Sequence, residues 1–161
     1  MFKIDSNQTI KMSKGDDVRF PVFLNQGTSL TPLRYPIYEN MGCELYFSIY
    51  YRNDFDNPIL KKTFKDNGEV VTEKSNGYKS VKTGVDNIND NNDFIVRFEP
   101  DDTNDLNEDS YVYQIKALIV DKDVEPVENE EGQLTYTYII NTVTNRLPIY
   151  IIDDDYGRRI W

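Results

Sequence analysis

A chain of 161 residues suits one domain of ordinary size. Its 28 Asp and Glu against 18 Lys and Arg leave a net charge of −10, which argues against nucleic acid, a partner bound chiefly by neutralising phosphates. There is no histidine and only one cysteine, Cys43, so imidazole catalysis, Ser-His or Cys-His activation, His-ligated metals and an internal disulfide are excluded within the chain.

No apolar run approaches the roughly 18 residues of a membrane helix. The opening Met1 to Ser6 lacks the basic-then-apolar pattern of an export signal, so synthesis and folding in the cytoplasm are expected. Val, Ile and Thr number 12, 15 and 11, beside 12 Tyr and 8 Phe, whereas Ala occurs once. Residues branched at Cβ or carrying rings suit a pleated surface, and strong helix formers are scarce. The composition predicts strands.

Taken in chain order, Thr9 to Met12 and Val18 to Leu24 read as two strands joined by the turn Ser13-Lys14-Gly15-Asp16. Pro21 lacks an amide donor and so assigns the second to a sheet edge or a bulge. Cys43 to Tyr51 alternates over nine residues, with Cys43, Leu45, Phe47, Ile49 and Tyr51 on the core face, which makes the cysteine a small buried apolar residue.

Ile59 to Phe64 and Glu69 to Thr72 read as a hairpin through Asn67-Gly68, and Asn76-Gly77 turns the chain again before Tyr78 to Thr83. Phe94 to Phe98 and Tyr111 to Val120 follow. The last pair, Leu134 to Ile140 and Leu147 to Ile152, is linked by 141–145. One helical turn at most is expected, over Asp101 to Asn107 after Pro100. Eight or nine short strands without intervening helices predict an all-β, antiparallel two-sheet sandwich over residues 1–152, with residues 153–161 as a C-terminal tail.

The charge is segregated. Residues 86–131 carry 15 carboxylates against Arg97, Lys116 and Lys122. If the strands Phe94 to Phe98 and Tyr111 to Val120 are antiparallel neighbours, the acidic segment 99–109 lies at one end of the sandwich, and 86–93 and 121–131 lie at the other. Asn89, Asn91 and Asp93 alternate as calcium-loop oxygens do, but no glycine follows and no Glu stands at the twelfth position. A solvated acidic rim and a docking surface for a basic partner both fit the segment. No carboxylate pair stands out as a glycosidase dyad, and no phosphate-binding loop or GxSxG is present. No catalytic, cofactor-binding or metal-ligating residue is assigned, and the chain reads as nonenzymatic.

Tyr46, Tyr50, Tyr136, Tyr138 and Tyr150 fall in strands and offer rings for stacking on sugars or packing on another subunit. The terminal 153–161 runs from acidic to basic and ends in a large aromatic. Tyr156, Arg158, Arg159, Ile160 and Trp161 are therefore candidate partner-binding residues.

Two segments resemble a family. Ile10 to Phe20 is similar to the "short strand, Gly-Asp, strand" opening of small immunoglobulin-like β-sandwich structural proteins of tailed phages, such as the N-terminal domain of upper baseplate proteins and head decoration modules. Phe98 to Tyr113 is similar to that family's "P-x-D-T-x-x-L-x-x-G-x-Y-x-Y" corner, where Asp102 or Thr103 caps the turn, Leu106 plugs the end of the sandwich and a tyrosine bonds back across the corner.

The sequence departs at Asp109, where the family usually has glycine, and in the long acidic loop 121–131. The resemblance implies an immunoglobulin-like sandwich that attaches to, decorates or bridges other virion proteins on the head or the tail and baseplate. It implies a homo-oligomer or symmetric assembly, with neither nucleic acid nor membrane as partner, made in the host cytoplasm and located in the virion. The rival expectation is a carbohydrate-binding module using the strand-face tyrosines, with or without calcium.

Overall fold

The computed structural model describes residues 2–27, 32–107 and 110–153. Their elements in chain order are β1 (Phe2–Ile4), β2 (Ile10–Ser13), β3 (Val18–Val22), β4 (Asn25–Gly27), β5 (Pro32–Arg34), β6 (Glu44–Tyr50), β7 (Leu60–Lys65), β8 (Val70–Lys74), β9 (Lys79–Lys82), β10 (Phe94–Phe98), α1 (Pro100–Thr103), β11 (Ser110–Val120), β12 (Val127–Glu128), β13 (Leu134–Thr135) and β14 (Tyr138–Ile152). The fold is all-β apart from the single turn α1.

Eight strands form one open sheet in the order β1-β2-β14-β11-β6-β7-β8-β9; β3 and β10 form a two-stranded ribbon, as do β4 with β5 and β12 with β13. Every pairing is antiparallel except β14 with β2, which is parallel, so the expectation of a wholly antiparallel arrangement is corrected there. The two strands expected around Gly15 do not pair with each other: β2 joins the sheet, whereas β3 joins the ribbon. Pro21 has only Ile95 of β10 opposite it, so its missing amide faces a free edge.

Alternation explains which faces meet. Leu45, Phe47 and Ile49 of β6 and Tyr111, Tyr113, Ile115 and Ala117 of β11 are buried, as are Val18, Phe20, Val22, Phe94, Val96 and Phe98 of the ribbon. Phe47 joins the sheet to the β3–β10 ribbon: its ring lies 5.0 Å from Phe98 edge-on, 6.2 Å from Phe20, and 5.2 Å from Tyr113 in a stack. Cys43 lies in the same core, as the alternation predicts, and burial pushes its thiol upward. Tyr51, expected on that face, is exposed, because β6 ends at Tyr50 and Tyr51 sits in a turn bridged to Asp54.

The two Asn-Gly turns fold as expected. Gly68 and Gly77 both take positive φ, and β7, β8 and β9 form a meander.

Two further expectations are corrected. Phe94–Phe98 and Tyr111–Val120 are not neighbours: β10 pairs with β3, and β11 lies between β14 and β6. The two last strands are divided differently: Leu134–Thr135 is β13 of a separate ribbon, and β14 runs unbroken from Tyr138 to Ile152. The polar run 141–145 is irregular rather than a loop, with register shifts against Tyr113, Ile115 and Lys116 and Arg146 at φ 54°. There the Thr144 hydroxyl accepts the Ile115 amide at 3.1 Å and keeps the ladder satisfied.

Candidate interaction surfaces

The acidic residues separate into an inward-paired group and an outward group. β7, β8 and β9 alternate so that Lys62 and Thr72 share the inner face with Phe64 and Val70, and Lys74 and Lys82 follow in register. Opposite them stands the corner Glu99 to Asp105. Its turn α1 begins at Pro100 and is closed by a capping box, with the Asp102 carboxylate accepting the Glu99 amide at 2.7 Å.

The same carboxylate oxygen takes the Lys62 ammonium at 2.6 Å, with both side chains buried. Lys74 pairs with Asp105 at 3.2 Å and donates to the Asp101 carbonyl at 2.6 Å, and Lys82 pairs with Glu99. The Lys82 hydrogen bond lowers the Glu99 carboxyl below its ordinary value and raises the lysine above its own. Thr103 accepts the Gly15 amide at 2.8 Å, and Leu106 is buried. Thus Asp102 and Thr103 hold the turn, and Leu106 enters the core, as the corner motif implies. Tyr113 donates its hydroxyl to the Gln8 carbonyl near the N-terminus.

Segment 86–93 is also internal in part. Asp93, buried, pairs with Arg34 and has its amide bound by Asn89; Arg97 donates to the Asp86 carbonyl at 2.6 Å. Buried Asn87 ties the hairpin mouth by donating to the carbonyls of Lys65 and Glu69 at 2.9 and 3.0 Å. The alternating Asn89 and Asn91 therefore shape a loop. Among the described residues no group of three or more His, Cys, Asp or Glu side chains is arranged to hold a metal ion.

Residues 121–137 differ. They extend the β11–β14 hairpin as an arm, with the Asp121 amide bonded to the Thr137 carbonyl at 2.7 Å and β12 paired with β13. Asn129 orders the tip by accepting the amides of Glu131 and Gln133 at 2.9 Å. The base is pinned by the Tyr35 hydroxyl on the Val120 carbonyl at 2.8 Å, by Lys122 over the Tyr35 ring, and by the Tyr138 hydroxyl on the Met41 carbonyl at 2.6 Å.

The arm carries six carboxylates against Lys122, none ion-paired among the described residues. It exposes Val127 to 70% and Leu134 to 49%.

The outer face of the sheet, turned away from the ribbon, has the opposite character. Tyr46, Ser48 and Tyr50 of β6 lie beside Lys116, Gln114 and Val112 of β11, and Lys61 of β7 lies opposite Ser48. With Pro58 these residues line a shallow trough of about 250 Å³. Lys61 sits over the Tyr46 ring at 5.1 Å, and the Tyr46 hydroxyl bonds Glu44; burial, with that bond, raises its ionisation well above the usual value. Of the other expected surface tyrosines, Tyr150 shares this face beneath Lys11, Tyr138 serves the base of the arm, and Tyr136 is half-buried against the core.

A larger hollow of about 830 Å³ lies at the end of the sheet among Lys11, Lys14, Leu106, Tyr150 and Asp153. The candidate docking residues Tyr156, Arg158, Arg159, Ile160 and Trp161 lie outside the described residues. The sequence pattern did not single out Lys61 and Lys116 as a pair; their signal was lysine on the outward beat of two strands adjacent to β6. Comparison with protein-family models, with curated proteins and with solved structures returns no match.

Proposed function

We propose that the chain is a nonenzymatic structural component of a tailed-phage virion, an immunoglobulin-like two-layer sandwich that attaches to or bridges other virion proteins on the head or the tail and baseplate. In this reading the eight-stranded sheet is one layer, and the β3–β10 ribbon with its adjoining loops is the smaller second one. The observation that carries it is the corner Phe98 to Leu106, whose capped turn and inserted leucine have the form expected of the phage family's motif. The ordered, projecting arm fits a protein that works by contact.

Mass spectrometry of purified particles of the phage encoding the chain tests this. It is expected there at a copy number matching a symmetric position, and absence from the particles refutes the reading. Truncation after Asp155 tests the tail, since unchanged incorporation rejects its docking role.

The rival carbohydrate-binding reading is favoured by one observation, the tyrosine-lined trough on the outer face. Glycan-array binding abolished by Tyr50→Ala, with a calcium-dependent rise in melting temperature, would support it.

A further inference from the structure

Among the described residues no element covers the outer sheet face, and its charge runs against that of the molecule. Lys3, Lys11, Lys61, Lys79 and Lys116 fall on this face and make no ion pair among the described residues; Glu44 there pairs with Lys65, and Glu73 stands opposite Lys61 and Lys79, so the strands' outward positions remain net positive although the protein as a whole is at −10. The lysines of the inner face, Lys62, Lys74 and Lys82, are all paired. Unpaired positive charge therefore gathers on one surface, while a projecting arm in the same molecule gathers unpaired negative charge.

We infer that the trough around Lys61, Lys116, Tyr46 and Tyr50 receives the acidic arm of a second copy of this chain. The occupant follows from complementarity. The arm tip presents Glu128, Glu130 and Glu131 on an ordered turn flanked by exposed Val127 and Leu134, and the trough offers two cations between aromatic rings. An arm meeting another arm, or a face meeting another face, opposes like charges and is disfavoured. The contact joins two different patches, so it closes as a reciprocal two-fold pair in which each arm enters the other copy's trough, closes as a larger ring, or grows as a chain that leaves one arm and one face free. The inference deepens the assembly reading by naming the partner of this face, and it rests on that reading.

Sedimentation velocity of the whole chain over a concentration series tests it. The mean mass is expected to rise with concentration above that of one copy, and raising salt from about 0.05 to about 0.5 M is expected to weaken association at least about tenfold by screening exposed charges. An arm reversal, E128K/E130K/E131K, and a face reversal, K61E/K116E, are each expected to stay monomeric with unchanged circular dichroism. Mixed one to one, they are expected to associate again, because each supplies the charge the other lacks.

A chain that is monomeric at every concentration, association that either reversal leaves intact, or a mixture that fails to associate overturns the inference. If the monomeric chain is nevertheless found in particles, the assembly reading stands without it. Absence from particles overturns that reading whatever the isolated chain does.

Discussion

Replacing Lys62 by Met removes one half of a buried ion pair and leaves the other half with nothing to neutralise it. Lys62 and Asp102 are 3% and 7% exposed, and the ammonium lies 2.6 Å from the carboxylate oxygen that also closes the turn of α1. Met keeps the length and apolar stem of lysine, so packing against Phe64 and Phe98, each within 6 Å of the ammonium, changes little.

What remains is an uncompensated buried carboxylate, which costs about 3–5 kcal/mol. That is a large share of the roughly 5–15 kcal/mol stabilising a typical domain. In a chain of this size it corresponds to a fall in melting temperature of about 6–20 °C. Adding Asp102→Asn retains an acceptor for the Glu99 amide and removes the stranded charge, so the double variant is expected within about 1–2 kcal/mol of wild type. Urea unfolding of the four members of this cycle gives the coupling directly. A Lys62→Met cost below about 1 kcal/mol, or a double variant no more stable than the single one, would refute the claim that this pair locks the ribbon's corner onto the sheet.

Gly42 takes a φ of +88°, and a Cβ there would collide with the Tyr138 hydroxyl, so Gly42→Ala is expected to cost about 1–3 kcal/mol through backbone strain and loss of the Tyr138–Met41 bond. Tyr138→Phe isolates the bond at about 1 kcal/mol, and equal losses by thermal denaturation would contradict the strain component. Phe47→Ala is expected to cost about 3–5 kcal/mol, because its ring touches both the sheet and the ribbon; a loss below about 2 kcal/mol in urea would place the contact between sheet and ribbon elsewhere.

Because Glu99 titrates below its ordinary 4.5, its contribution is present above that pH and lost as pH falls through the lower folded value. Glu99→Gln should therefore flatten the acid limb of the melting curve, and parallel limbs would contradict the pairing. Burial raises Tyr35 and Tyr113 to about 12, so the stability they confer is present below pH 10 and lost as pH rises toward 12. Phenolate absorbance should show both ionising late, with unfolding, and their titration near 10 in the folded protein would be the contrary result.

Strands of period two were legible where a single chemical rule governed them. Phe94 to Phe98 alternates cleanly, Tyr111 to Val120 does so as far as Ile119, Cys43 to Tyr51 keeps its core face as far as Ile49, and both Asn-Gly turns lie where the sequence places them. Pairing partners were less legible, since alternation says which way a side chain faces and not which strand lies beside it. For that reason β10 and β11 read as neighbours although one belongs to the ribbon and the other to the sheet. The run 141–145 read as a loop because its residues are polar; only the bonded Thr144 and the left-handed Arg146 reveal a bulged strand. Within the acidic stretch, sequence showed the excess of charge and could not show that lysines 17 to 40 positions away meet part of it.

That division of the acid bears on how the protein responds to its surroundings. Carboxylates at the corner face lysines across short distances, and for the Lys62–Asp102 pair the surroundings are dry, so salt screens that pair weakly. Those on the arm stand in water, where a Debye length of about 8 Å at physiological ionic strength suppresses any attraction beyond near contact. One sequence feature therefore serves two ends with opposite sensitivity. Salt should leave the fold nearly unchanged while it dissolves contacts made by the arm. If melting temperature fell steeply together with association as salt rose, the half-exposed pairs Lys74–Asp105 and Lys82–Glu99, rather than the buried Lys62–Asp102, would have to carry the corner.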